Sequence, residues 1–207
     1  MQSPHIHIPQ RRLGVLMVVS GPSGSGKTTL CRQVSDAGEA VYSISCTTRA
    51  PRAGEVDGCD YYFLTEEAFV ENIEADAFFE HANVHGRRYG TLKRYVTDNL
   101  ERGVDVVMDI DVQGAAQVRA CQDELVKRCL VDVFILPPSV EELKSRLAGR
   151  GTESVEALTL RLNNAIDEMQ HWPTYDYTLV SASREDDLTR FRSLLFSERL
   201  RSERLRS

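Results

Sequence analysis

"GPSGSGKT", residues 21–28, carries the spacing G-x-x-x-x-G-K-[ST]. The apolar, β-branched run from Val15 to Val19 precedes it, and "TTLCRQVSDAG", which ends on a glycine stop, follows it. Strand, glycine-rich loop and helix in that order are the context this spacing needs. Glycines let backbone N–H groups turn inward around phosphate oxygens, and the helix N-terminus adds a partial positive charge. The loop set is therefore Gly21, Pro22, Ser23, Gly24, Ser25, Gly26, Lys27, Thr28 and Thr29. Lys27 is expected to reach the β and γ phosphates of a nucleoside triphosphate, and the Thr28 hydroxyl to ligate Mg²⁺. The loop alone does not separate ATPase, GTPase, motor and kinase.

Outward from the loop, strands and helices alternate. A second strand is expected over residues 41–45, then a polar stretch punctuated by Pro and Gly that ends in "DYYFL", read as loop and short strand. "TEEAFVENIEADAFF" offers a Thr cap, early acids and helical spacing, so a helix begins near Glu66, and "RYGTLKRYVTDNLERG" supplies another. "VDVVMDID", residues 104–111, reads as a buried strand finishing in Asp109 and Asp111, and "VDVFILPP" as a further one. The pattern predicts an α/β fold, a parallel sheet with helices on both faces, which binds ligands beyond the carboxyl ends of its strands. The glycine loop and the Asp109/Asp111 pair are expected to meet there. The C-terminal "SERLRSERLRS" contains a five-residue repeat, and a period of five fits neither helix nor strand. It reads as a solvated helical tail.

Composition excludes several classes. A chain of 207 residues with 42% hydrophobic and 27% charged content buries one ordinary core with room for inserted subdomains. Its net charge of −6 argues against a general nucleic-acid binder. Five scattered cysteines with no CxxC pair suggest neither a disulfide framework nor a zinc site, and reduced cytoplasm is the simplest setting. Arg11 and Arg12 before "LGVLMVV" superficially resemble a signal peptide, but the run is short and enters the glycine loop directly, so a buried strand explains it better. No other apolar stretch approaches membrane-spanning length. The first residues, 1–12, are expected to form an arm.

"TTRAPRAGE", residues 47–55, places Arg49 and Arg52 around Pro51 in this acidic chain. The proline keeps the backbone extended, so two forked guanidiniums can converge on one small dianion such as a phosphate monoester. Tyr61 and Tyr89 have phenols able to hydrogen-bond the same oxygens. On the stretch alone, a solvated basic loop is an equal alternative. Downstream, Arg146 and Arg150 are four apart and share a helix face, with Arg161 on the next helix. Surface pairing of Arg146 with Glu141 or Glu142 is the bland reading.

Taken together, "SCTTRAPRAGEVDGCDY", "FFEHANVHGRRYGT", "DIDVQG" and "LAGRG…LRLNNA" behind the glycine loop resemble guanylate kinase over nearly the whole chain. The resemblance implies a P-loop NTPase-type three-layer fold, ATP as phosphoryl donor, GMP as acceptor and Mg²⁺ as cofactor. It implies a core over 13–44, 104–138 and 162–207, a GMP-binding subdomain over 45–103 and a lid over 139–161. It further implies acceptor-phosphate ligands at Arg49, Arg52, Tyr61 and Tyr89, base readers at Ser45, Glu80 and Thr91, and acceptor-site positions at Glu55 and Gly90. Asp109 and Asp111 divide metal and acceptor nucleotide between them in an order the sequence leaves open, with Asp109 set down as a metal position beside Thr28. Lys27, Arg146, Arg150 and Arg161 would serve the chemical step. Glu80 makes chemical sense as a base reader: guanine offers N1–H and N2–H₂ as adjacent donors, and an ionised carboxylate accepts both.

One departure stands out. After "YDY" and an apolar strand the family commonly has Asn-Asp near the adenine, whereas this chain has "SAS", with Ser181 and Ser183 in place of the amide. Two other readings stay open: a non-catalytic guanylate-kinase-like interaction module, against which Lys27 and Thr28 speak, and a P-loop kinase for another small phosphate. A homo-oligomer is compatible with the sequence, which does not fix the assembly.

Overall fold

The computed structural model of the protein describes residues 11–84, 86–148 and 155–206. In chain order the first half holds β1 (Arg11–Arg12), β2 (Leu16–Ser20), α1 (Lys27–Asp36), β3 (Val41–Tyr42), β4 (Cys46–Thr47), β5 (Tyr62–Phe63), α2 (Glu66–Glu74), β6 (Phe78–Val84), β7 (Arg87–Leu92) and α3 (Lys93–Glu101). The second half holds β8 (Val106–Asp109), α4 (Val112–Arg119), α5 (Glu124–Cys129), β9 (Leu130–Leu136), α6 (Val140–Ala148), α7 (Val155–Met169), β10 (Tyr177–Val180), α8 (Arg184–Arg199) and β11 (Leu205–Arg206).

Every residue of β2 is buried. Because side chains alternate across a strand, Leu16 and Val18 join Val96, Leu100, Met108 and Phe134 on one face of the sheet. Met17 and Val19 join Leu30, Val34, Ile135 and Phe191 on the other. Helices cover both faces, which is why the strand reads as a continuous apolar run rather than an alternating one. The five strands run parallel in the order β10-β9-β2-β8-β3, with β2 central, in agreement with the expected α/β class. The expected strand over residues 104–111 is shorter. β8 stops at Asp109, because the Asp111 side chain caps α4 by accepting the Gly114 N–H at 2.7 Å.

Residues 46–92 build a second, four-stranded sheet in the order β5-β4-β7-β6. Its hairpin, β6 with β7, was not visible in the sequence. The physical reason is a bulge: the pairing shifts by one residue between Phe78 and Glu80, which breaks the alternation that marks a strand. The shift lets two consecutive phenylalanines bury in different places. Phe78 stacks on Phe69 of α2 at 4.5 Å in the small core, while Phe79 enters the main core.

The C-terminal repeat corrects the expectation of a solvated helical tail. Its first copy ends α8, and its second forms a 3-10 turn (Ser202–Arg204) and then β11, which pairs antiparallel with β1. Glu198 and Arg204 are 2% and 0% exposed and ion-pair at 2.8 Å. The Tyr177 hydroxyl donates to Glu198 at 2.6 Å, and Arg204 also donates to the Glu198 carbonyl at 2.7 Å. Identical pentads thus take different structures because only tertiary contacts decide which Glu and which Arg are buried. The expected arm likewise gives Arg11 and Arg12 to β1, and residues 1–10 lie outside the described residues.

Removing one member of that pair leaves a buried charge without its partner. Arg204→Met is expected to destabilise the fold by about 3–5 kcal/mol, read as a lower urea midpoint. Glu198→Gln combined with Arg204→Met should recover much of the loss. A double variant no better than the single one would show that packing rather than charge pairing matters here.

Candidate active site

The glycine loop leaves the carboxyl end of β2 and becomes α1 at Lys27. Gly26 caps the helix at φ 99°, a left-handed conformation that a side chain would strain. The Lys27 ammonium folds back over the loop, donating to the Gly21 carbonyl at 2.7 Å and the Pro22 carbonyl at 3.2 Å. The Ser25 hydroxyl is buried with no hydrogen-bond partner among the described residues. Orphaned polar groups are costly, so a buried hydroxyl beside a helix N-terminus fits a phosphate-binding loop.

Asp109, at the end of β8, accepts a hydrogen bond from the Thr28 hydroxyl. Burial pushes its carboxyl up, and Lys27, Thr28 and Arg32 pull against that. Asp111, two residues on, faces away toward the second sheet: a Cβ on Gly114 would lie 3.4 Å from both an Asp111 oxygen and a Glu80 oxygen. The two acids that were indistinguishable in sequence therefore occupy different places, one beside the loop threonine and the other beside Glu80. No cluster of three or more His, Cys, Asp or Glu able to hold a metal exists among the described residues. Thr28 with one carboxylate suits Mg²⁺, which keeps water and phosphate oxygens in its shell rather than a full protein cage.

The second sheet supplies a row of polar side chains. Register pairs Cys46 with Gly90 and Glu80 with Thr91, so Ser45, just before β4, lies beside Thr91 of β7 and Glu80 of β6. The Thr91 hydroxyl donates to Glu80 at 2.8 Å and lies 3.4 Å from that of Ser45. Glu80 is only 7% exposed. Desolvation raises its pKa, Thr91 opposes the shift and Asp111 adds to it. The bulge before Glu80 sets this aim, as bulges commonly do near functional sites. Gly90 sits on the opposite face, where a Cβ would lie 3.1 Å from both Phe69 and Phe78, so its place is fixed by close packing rather than by the polar row.

Along the same face, Tyr89 meets Tyr61 edge to face at 6.1 Å. The Arg49 guanidinium lies over Tyr61, 5.3 Å from the ring centroid. Glu55 grips Arg49 through both carboxylate oxygens at 2.9 Å. Arg52 is exposed beside them, its backbone N–H donating to Glu55 at 2.8 Å. The arginines, tyrosines and Glu55 expected at one site are thus brought together.

Over the glycine loop lie α6 and α7, packed on each other through Leu143, Leu147 and Ala165. Arg146 pairs with Glu142 at 2.9 Å, the bland alternative, and also donates to the Ser181 hydroxyl at 3.3 Å. Arg161 donates to the Ser23 hydroxyl at 3.2 Å, and Arg150 lies outside the described residues. Sequence reasoning missed Glu168, whose half-buried carboxylate is pushed up by burial and held down by Lys27 and the Ser23 N–H. It stands seven residues after Arg161, on the same face of α7, and that spacing was the available signal. Neither serine of the departing "SAS" stretch is uncommitted. The Ser181 hydroxyl donates to Asp187 at 2.8 Å, and Ser183 caps α8 through the Asp186 N–H.

With this geometry in view, comparison with known proteins is direct. The family model described as guanylate kinase matches residues 14–198. The chain is 46% identical to a guanylate kinase of Paramagnetospirillum magneticum over 194 residues, covering 93% of this chain and 89% of that one. It is 45% identical to one of Syntrophotalea carbinolica, covering 95% and 92%. The crystal structure of guanylate kinase from Anaplasma phagocytophilum superposes with a TM-score of 0.73 at 33% identity, covering 94% of this chain and 91% of that one. A glycine loop with its lysine, a polar row ending in a buried carboxylate and a match of this extent place the chain in the guanylate kinase family.

Proposed function

We propose that this protein transfers the γ-phosphoryl group of ATP to GMP, giving ADP and GDP. The observation that carries the choice of acceptor is the polar row of half-buried Ser45 with buried Thr91 and Glu80. Guanine matches that row, with two adjacent N–H donors for the carboxylate and an O6 acceptor for a hydroxyl. Adenine has a lone pair at N1 and would leave Glu80 buried against it, unpaired. Arg49, Arg52, Tyr61 and Tyr89 bind the acceptor phosphate, with Glu55 beside them, and Asp111 belongs with Glu80 on the acceptor side. Gly90 lets the strand approach closely, as its packing requires.

On the donor side, residues 21–29 cradle the triphosphate and Lys27 neutralises it. Thr28 and Asp109 would hold Mg²⁺, which when bound neutralises charge on the donor phosphates. Arg161 and Arg146, with Arg150 of the same lid segment 139–161, add positive charge where the transferred group moves; such charge is the main catalytic resource in phosphoryl transfer. No strong base is required, because the attacking phosphate oxygen is already anionic. Closure of the acceptor subdomain, residues 45–103, and of the lid on the core excludes water as a competing acceptor. No helix among the described residues is long and apolar enough to cross a membrane, and all five cysteines are free thiols, which suits a cytoplasmic enzyme.

A coupled assay with ATP, Mg²⁺ and a panel of nucleoside monophosphates tests the reading: GMP should be phosphorylated and AMP should not. Lys27→Ala should abolish transfer with an unchanged melting temperature. Near-normal turnover in that variant would refute the role of the loop.

Glu80 yields a sharper expectation, because site and stability pull in opposite directions. A carboxyl whose folded pKa is raised binds its proton more tightly in the folded chain. Its ionisation therefore subtracts stability above the folded pKa, and the penalty is absent below the ordinary value of about 4.5. Glu80→Gln should then raise the melting temperature at neutral pH while lowering GMP efficiency by about 2–4 kcal/mol in kcat/KM. AMP should lose little. An unchanged ratio of GMP to AMP efficiency would remove Glu80 from base recognition.

A further inference from the structure

Glu55 is a carboxylate placed where a phosphate is to bind, and repulsion alone would make it harmful there. Its contacts give another account. It meets the Arg49 guanidinium end-on, Nη1 and Nη2 each 2.9 Å from one of its oxygens. Arg49 Nη1 also donates to the Ala50 carbonyl at 2.8 Å, and the guanidinium lies over the rings of Tyr61 and Phe63 at 5.3 and 5.9 Å. Glu55 is fixed in turn. The Arg52 N–H donates to its Oε2 at 2.8 Å, and its own N–H donates to the Arg52 carbonyl at 3.1 Å. That last bond closes a four-residue turn whose third residue, Gly54, has φ 89°, as a type II turn requires.

One carboxylate therefore fixes both the side chain of Arg49 and the backbone of Arg52. We propose that Glu55 is a positioning residue for the acceptor phosphate: it acts through the two arginines and does not touch the substrate. This rests on the acceptor site described above. A guanidinium whose plane is set beforehand loses less freedom when an anion arrives, and Glu55 carries that gain against its own repulsion. Arg49 in turn holds the Glu55 carboxyl below its ordinary range, so the clamp stays ionised at neutral pH.

The two effects of Glu55 have opposite signs, so one substitution separates them. Glu55→Gln keeps the size but puts an NH₂ donor against a guanidinium that has only donors to offer. In steady-state assays of the full chain with ATP and GMP, the KM for GMP is expected to rise about tenfold, the scale of one charge-assisted hydrogen bond. The KM for ATP and the melting temperature should not move, whereas a merely structural role would shift both. A KM for GMP that is unchanged or lower overturns the proposal, the fall being what relief of repulsion produces. A double-mutant cycle with Arg49→Ala gives a second measurement. Once Arg49 is gone, Glu55→Gln should raise the KM for GMP far less, because an amide oxygen can still accept the Arg52 N–H, and fully multiplicative losses would overturn the positioning role. If Arg49→Ala leaves GMP untouched, the acceptor-site reading itself falls and the proposal with it. If Arg49→Ala weakens GMP and Glu55→Gln does not, only the positioning role fails.

Discussion

Burial of β2 on both faces and both edges is the constraint from which the rest follows. The strand is hydrogen-bonded to β8 on one side and β9 on the other, and its alternating side chains feed two separate cores. A strand so enclosed has one exit, past Ser20 at the carboxyl edge of the sheet. The chain must there turn into a helix without leaving donors buried and unpaired. A glycine-rich loop with N–H groups facing inward meets that requirement, and the same geometry makes the loop an anion site.

A comparable economy governs the second sheet. A bulge at Phe79 lets neighbouring phenylalanines reach different cores, and the residue that follows, Glu80, is carried to a buried position opposite Thr91. The carboxylate is held where it is poorly solvated, close to Asp111, with one hydroxyl donor facing it. Such a group destabilises the chain on its own and is best satisfied by a ligand with donors of its own. On the proposed reading, selectivity and local instability at this position are one property.

At the far end of the main sheet, charge is used differently. Asp105, 2% exposed, receives Arg12 through both guanidinium nitrogens, Arg199 at 2.6 Å and the Val15 N–H at 2.8 Å. Every lone pair direction is taken, so the buried acid is compensated as Glu80 is not. These contacts tie the first described strand and the last helix to the start of β8. The ligand end of the sheet keeps polar groups in reserve while the opposite end consumes them.

The sequence by itself determined the alternation of strands and helices and the glycine loop, and it named the residue types at the two ends of the proposed site. Each rests on local signals: the unbroken apolar run of residues 15–19, the G-x-x-x-x-G-K-T spacing, and the arginine pair around Pro51. What local pattern cannot carry is any choice made by contacts between distant residues. Tertiary structure decided that Asp109 faces Thr28 while Asp111 caps α4 beside Glu80, although both sit in the same "DIDVQG". It decided that a bulge, invisible as a period, aims Glu80, and that α7 brings Arg161 onto the Ser23 hydroxyl of the loop. It also decided that of two identical pentads one ends a helix and the other forms a strand. Burial and pairing are non-local quantities, and equal local sequences receive different amounts of each.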